Sequence, residues 1–586
     1  MRLGELRRWR SAGLGAIAVV LALGVAAGLS STLSPFFVYL SISAVVTTIL
    51  LLGLGVVTGD AGMIALCQLS FAAIGAWTVS WLNQAHAPGG LIVWLAAAAG
   101  VAGLGGVLIG SPALRLRGIN LAVVTLGFSA VVDIVLAATP FPGAAAGVTV
   151  PRPAPFESDR AYLFLCLVVL IVAAVAVIAL RRSRFGVGLR TFSFSERAAA
   201  ASGASVARLK LGAFAISAAM AGVAGGLITG QIGAAYADSF ATIPSLALYL
   251  LTIVVGTQYI EMAVLGGIMW VFMPVLLKSW GLSQDWALVL FGVLGIQAIA
   301  SGSSLGKVVR ERIARHRSGR VLRDRSIAAP ETGDANKEPG SPSPAPSFDS
   351  GAEPVLRVRG LRVQYGAIAA LDGVDIDIRS GIVTGLIGPN GAGKSTFVDA
   401  LSGFITLYDG TIELDGESLH GLTAAGRARL GIRRTFQQGR VAPSLSVGEY
   451  IEFASGGRLS GPDVEELLAS FGCPPAPTRI AAVDAGTRRL IEVAGQLAAR
   501  PKVLVLDEPA AGLSHDEHLA LALRLKRVPA EFGVALLVIE HDLDLVRTTC
   551  DRVTVLDFGK VIADGTVSDV LADPDVLAAY MGEAPL

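Results

Sequence analysis

Ten apolar stretches crowd the first three hundred residues, and then the pattern stops. They lie at 12–30, 36–57, 62–82, 91–110, 119–139, 161–180, 209–230, 243–257, 262–277 and 286–300. Each approaches the length of about 20 residues that carries a helix across hydrocarbon, and the last three are the shortest. Only 16% of the chain is charged, against about 25% in ordinary soluble proteins, and the deficit falls before residue 305. The spacing therefore predicts a polytopic α-helical membrane domain of about ten spans with a soluble domain behind it.

Ten crossings return the chain to the side on which it began. Basic residues agree with that count. Arg2, Arg7, Arg8, Arg10, Arg115, Arg117, the cluster Arg181 to Lys210, and Lys307 to Arg320 all fall on one side; the opposite loops hold little more than Arg152, Arg160 and Lys278. The positive-inside rule places that side, with both termini and the soluble domain, in the cytoplasm of a bacterial plasma membrane. The basic amino end and the run Ala12 to Leu29 have the look of a signal peptide, but no cleavage signal follows. Retention as a first span is expected.

Within the spans, runs such as Gly103-x-Gly105-Gly106 and Ala221-Gly222-x-Ala224-Gly225-Gly226 let helices approach closely. The segment at Pro244 is open to a kink or break. Asp133 lies well inside the fifth stretch, where a carboxylate needs a polar path or a partner. It and Gln68 are candidates for a substrate path, whereas Asp60 and Glu261 sit at segment ends. Between the sixth and seventh spans, Glu196 to Ala201 favours a short cytoplasmic helix that Gly203 can end.

Residues 307–325 are basic, suited to an interfacial helix against anionic membrane lipid, and 329–354 are rich in Pro, Ser and Gly, as in a flexible tether. The expected division is 1–305 membrane domain, 306–354 basic segment and linker, and 355–586 nucleotide-binding domain. A net charge of +1 leaves no nucleic-acid footprint. Cys67, Cys166, Cys473 and Cys550 are scattered, so neither a disulfide framework nor a thiolate metal site is expected. His515 and His518 lack the further ligands that a metal site needs.

The soluble domain carries a phosphate-binding loop, Gly388-Pro389-Asn390-Gly391-Ala392-Gly393-Lys394-Ser395. Its backbone N–H groups can cradle phosphates, Lys394 can reach the β- and γ-phosphates of ATP, and Ser395 can hold Mg²⁺. An apolar strand at 383–387 leads in, and a helix opening at Ser395 and Thr396 leads out. A second apolar run, Val503 to Leu506, ends in Asp507, placed for Mg²⁺, and Glu508, placed to polarise an attacking water. His541, after the run 534–539, can sense a γ-phosphate. Gln437 offers a neutral amide to Mg²⁺ or water, and Tyr365 a ring for adenine. A mixed α/β fold follows, and a soluble biosynthetic enzyme is incompatible with the membrane half.

In this order the motifs resemble the ATPase of an ATP-binding cassette transporter. The texts Arg434-Thr435-Phe436-Gln437, Leu506-Asp507-Glu508-Pro509-Ala510-Ala511-Gly512-Leu513 and Ile539-Glu540-His541-Asp542 resemble the LivG-type ATPase of branched-chain amino acid uptake. Leu114-Arg115-Leu116-Arg117-Gly118, Ser183-Arg184-Phe185-Gly186 and Arg208-Leu209-Lys210-Leu211-Gly212 resemble the LivM-type permease. The resemblance implies 509–513 as the D-loop and 181–210 as the loop that couples ATPase to permease. It further implies a LivH/LivF-like partner half and an extracytoplasmic substrate-binding protein, with a small solute as cargo. The default cargo is a branched-chain or other hydrophobic amino acid; urea, short amides and other small carboxylates are alternatives, as are export and a membrane-anchored regulatory ATPase.

One segment departs from the family. Val483-Asp484-Ala485-Gly486-Thr487 stands where Leu-Ser-Gly-Gly-Gln or a close variant is usual, while Arg488-Arg489 and Glu492 keep the pattern that follows it. Asp484 replaces the serine that meets the γ-phosphate held by the opposite ATPase. Two like unit charges at about 4 Å repel by about 4 kcal/mol at an effective dielectric of about 20. A degenerate signature and asymmetric ATP sites are the expectation.

Overall fold

A computed structural model describes residues 33–114, 116, 118–309, 312, 353–437, 439–511, 513 and 515–581. The first apolar stretch, the basic segment beyond 312, the tether and Gly512 lie outside the described residues. The chain packs as two compact units. One comprises 1–183 and 207–337; the other comprises 184–206 and 338–586. The loop joining two membrane helices thus packs with the soluble domain.

In the membrane unit, seven described helices are long and apolar enough to span a bilayer: Pro35–Asp60, Gly90–Pro112, Ile119–Ala138, Asp159–Arg182, Val206–Ile232, Ala237–Val255 and Ile260–Ser279. Trp286–Ser301 is apolar but shorter, with 16 residues. The stretch at 62–82 corrects the expectation of an unbroken span. The helix from Pro35 closes in a π-turn at Val56–Asp60, the chain runs without regular structure to Cys67, and a helix then covers Gln68–Gln84. Irregular backbone needs internal partners in such surroundings. It finds them in Thr125 Oγ1, which accepts from Leu66 N at 3.2 Å, and in Ser245 Oγ, which donates to Leu66 O at 2.8 Å.

Helix Pro35–Gly55 is buried over most of its length and packs against Ile260–Ser279 and Asp159–Arg182. Small residues allow the tightest approaches. A Cβ on Gly225 would stand 1.8 Å from Ala72 O, and one on Gly75 would stand 2.1 Å from Gly222 O. Pro244 falls in the first turn of Thr242–Val255, where its missing N–H costs nothing. The interruption expected there lies upstream, at Gly233–Ala241.

Asp133, Gln68 and Asp60, polar residues singled out above, each have a partner. Asp133 Oδ2 accepts from Thr242 N at 3.1 Å, at the amino end of that helix. Gln68 Nε2 donates to Leu50 O at 3.1 Å, and its Oε1 accepts from Ser217 Oγ at 3.0 Å. Asp60 pairs with Arg181 at 2.7 Å.

The second unit holds two sheets. Strands β1 (Leu356–Tyr365), β2 (Ile368–Ile378), β4 (Asp409–Leu414) and β5 (Glu417–Ser418) form an antiparallel sheet ordered β2-β1-β4-β5. The other sheet runs β10-β9-β3-β8-β7-β6, built from β3 (Val383–Ile387), β6 (Ile432–Arg434), β7 (Val503–Asp507), β8 (Ala535–Ile539), β9 (Arg552–Asp557) and β10 (Lys560–Thr566). Strands β3, β6, β7, β8 and β9 pair in parallel, and β10 closes the edge antiparallel to β9. Every residue of β3 and β8 is buried, the continuous apolar pattern of strands covered on both faces. Ligands of such sheets gather at the carboxyl ends of the strands.

Candidate nucleotide site

The phosphate loop leaves the carboxyl end of β3. Gly388 has φ +148°, Gly391 +88° and Gly393 +103°. A Cβ on Gly388 would stand 2.0 Å from Leu556 O, so the strand end admits glycine alone. The loop opens helix Lys394–Leu401, one residue earlier than expected, with Gly393 as its N-cap and no side-chain cap. Ser395 and Thr396 occupy the first turn. Lys394 Nζ folds back onto Gly388 O at 2.6 Å and Pro389 O at 2.9 Å. Burial draws its ammonium below the usual lysine range, opposed by Glu508 and Asp507.

Strand β7 ends at Asp507, and Glu508 follows with φ +46°. A non-glycine residue in that region is strained, a cost that concentrates at functional positions. Glu508 Oε2 accepts from Gln437 Nε2 at 2.6 Å, and His541 Nδ1 lies 3.9 Å from Glu508 Oε1. The three residues singled out for catalysis beside Lys394 therefore meet. Tyr365 ends β1 with its ring 56% exposed, free to stack. The donor set fits ATP and Mg²⁺: glycine-permitted backbone amides, an uncapped helix end, a lysine, and hydroxyl, amide and carboxylate oxygens.

Several contacts of this site escaped the sequence reading. Arg489 is buried and donates to the carbonyls of Phe436 and Gln437, and to Glu508 O at 3.3 Å. Glu492 lies beside it, Oε2 to Nη1 3.6 Å, and burial pushes its carboxyl up to about 7. Glu540 accepts from Ala510 N at 3.3 Å and from His541 N at 3.3 Å, tying the 509–513 loop to the histidine. Tyr580 Oη, on the helix Pro574–Met581, accepts from Gly388 N at 2.8 Å. The doublet Arg488-Arg489 and the run 434–437 stood in the sequence as motif text. Their carbonyl partners are set by tertiary packing.

The signature segment is finished differently. Asp484 is the N-cap of helix Ala485–Leu497; its Oδ1 accepts from Thr487 N at 2.7 Å and its Oδ2 from Thr487 Oγ1 at 2.8 Å. Those bonds hold its carboxyl below the usual carboxylate range. Val483 precedes it, and Ala485 and Gly486 form the first turn.

The loop 184–206 lies against the same region. It folds as helices Arg184–Phe194 and Glu196–Ala201. Gly203, at φ +83°, ends the second: its N–H reaches Ala200 O, and Ala204 N reaches Ala199 O. Ala198 and Ala201 pack on Phe436, next to Gln437. Arg190 pairs with Glu449 at 3.1 Å, Arg440 donates to Ser195 Oγ at 3.3 Å, and Arg433 to Ala201 O at 3.4 Å.

Family models match both halves of the chain. Residues 36–299 match the family model described as branched-chain amino acid transport system / permease component. Residues 371–511 match that of ABC transporters, and 560–585 that of branched-chain amino acid ATP-binding cassette transporters. The chain is 35% identical over 254 residues to the high-affinity branched-chain amino acid transport ATP-binding protein BraF of Pseudomonas aeruginosa, covering 40% of this chain and 100% of that one. LivG of Escherichia coli K12, of the same description, is 34% identical over the same shares. A solved nucleotide-free ATP-binding cassette from an ABC transporter is 28% identical, covering 39% of this chain and 100% of its own, with a TM-score of 0.36.

Proposed function

Because this chain belongs to the branched-chain amino acid family of ATP-binding cassette transporters, permease and ATPase in one polypeptide, we propose that it is one half of a heteromeric importer with unequal ATP sites. It is an ATP-hydrolysing translocase of the inner membrane, multi-pass, with its ATPase in the cytoplasm, and it imports a solute of the branched-chain amino acid type. The observation that carries the reading is the seating of a permease loop on Phe436, beside the glutamine that holds Glu508.

Lys394 and the amides of 388–396 hold the phosphates, with Tyr365 on the adenine. Ser395, Gln437 and Asp507 would hold Mg²⁺, which neutralises phosphate charge when bound. Glu508 orients and polarises the water, Gln437 fixes the Glu508 carboxylate, and His541 reports on the γ-phosphate. A LivH/LivF-like half supplies an intact signature to this site. The altered segment Val483, Asp484, Ala485, Gly486 and Thr487 faces the partner's nucleotide, whose turnover is slow. An extracytoplasmic binding protein delivers the cargo, and ten spans complete the permease.

Asp133 and Gln68 flank the path by anchoring its walls: one caps helix Thr242–Val255, the other ties Gln68–Gln84 to Leu50 and Ser217. Sealed vesicles carrying the co-purified complex and its binding protein test the reading. ATP-dependent accumulation of labelled leucine or isoleucine is expected. Hydrolysis with no movement of these, of urea or of short amides contradicts it.

A further inference from the structure

Four charged side chains form an unbroken line within the cassette unit, from the permease loop to the metal carboxylate. Arg197 Nη2 lies 3.2 Å from Asp399 Oδ2. Asp399 Oδ1 also receives Arg434 Nη1, and Arg434 Nη2 lies 2.8 Å from Asp507 Oδ2. The signs alternate along the line. Side-chain exposure falls inward, from 46% at Arg197 to 17% at Asp399 and 5% at Arg434. Arg197 lies over the ring of Phe404, Arg434 over that of Phe436, and the two rings touch edge to face.

Arg434 is the pivot. Its guanidinium is buried, divided between two carboxylates, and its Nε has no hydrogen-bond partner. Asp399 is likewise divided, between Arg197 and Arg434. The more of its charge Arg197 takes, the more Arg434 turns to Asp507. A guanidinium on Asp507 competes with a divalent cation for the same oxygens.

We propose that this line is a switch through which the permease loop sets the Mg²⁺ affinity of the ATP site, with Asp399 and Arg434 as positioning residues. It rests on the reading of Asp507 as a metal carboxylate. With Arg197 on Asp399, Arg434 leans on Asp507 and Mg²⁺ binds less tightly. When the loop withdraws Arg197, Asp399 takes Arg434 and Asp507 is released to the metal. Linkage makes the effect reciprocal, so Mg²⁺ and ATP binding loosen the Arg197 contact in turn.

The test follows binding of a fluorescent ATP analogue to the purified full chain as Mg²⁺ is titrated at constant ionic strength. Arg197→Gln lowers the half-saturating Mg²⁺ concentration about two- to fivefold, the range of a half-exposed pair. Asp399→Asn raises it about tenfold, because Arg434 then has Asp507 alone. Arg197→Lys stays near wild type. Opposite shifts are the signature of a switch; a packing role moves both variants the same way. Shifts of one sign, or none, overturn the inference. A wild-type chain that binds the analogue regardless of Mg²⁺ overturns the metal assignment first, which separates the two failures.

Discussion

Two loops of this cassette run into helix amino-ends, and the two ends are closed by opposite means. Helix Lys394–Leu401 starts from Gly393 without a side-chain cap. Helix Ala485–Leu497 starts from Asp484, whose carboxylate already takes the amide and hydroxyl of Thr487. Helix amino-ends leave N–H donors without intrahelical partners and carry the positive pole of a dipole. The first is left open for an anion from outside. The second carries its own. One cassette thus holds an end open to an anion and an end that already carries one, the difference on which the proposed inequality of the ATP sites rests.

The closed helix is also the one pinned by Arg489 and Glu492, and that pinning gives the largest expected effect. Burial pushes the Glu492 carboxyl up to about 7, above the ordinary carboxylate range, so the folded state holds a proton that the unfolded state has released. Its contribution is present below pH about 4.5 and is lost as pH rises to about 7, on the order of 3 kcal/mol across that window. Denaturant unfolding from pH 5 to pH 7.5 should show the decline in wild type and a shallower one in Glu492→Gln. Equal slopes contradict the burial argument.

At the open end, Lys394→Ala removes the lysine of the cradle. ATP affinity should fall about a hundredfold, with the melting temperature little changed, by equilibrium binding. A variant that binds like wild type would show that the open end is not the phosphate site. At the closed end, Asp484→Ala should cost about 1 kcal/mol of cassette stability, and Asp484→Ser should recover most of it. In the reconstituted pair, the serine variant should speed turnover at the partner's phosphate loop alone, read with Glu508→Gln in the background.

The open end was legible in the sequence because a phosphate loop is local. Its glycines, Lys394 and Ser395 are fixed by spacing, and the strand before it is a plain apolar run. Asp507, Glu508, Gln437 and His541 were legible for the same reason, each at the end of a short strand or in a known text. Asp484 was legible as a departure, yet its capping of Thr487 depends on where the helix begins. The roles of Arg434, Asp399, Glu540 and Tyr580 were not legible, since the bonds Arg434–Asp399, Arg434–Asp507, Glu540–Ala510 and Tyr580–Gly388 join residues 30 to 192 positions apart. In the membrane half, apolar length located the helices. It could not show that 61–67 leaves the helix, because the hydroxyls that permit this, Thr125 and Ser245, belong to other spans.

ATP turnover of the reconstituted pair carrying Glu508→Gln tests the central claim most directly, since Glu508 belongs to the open-ended site alone. Turnover should fall about a hundredfold or more while ATP stays bound. Turnover within a factor of two of wild type would place hydrolysis at the partner's site and contradict the account.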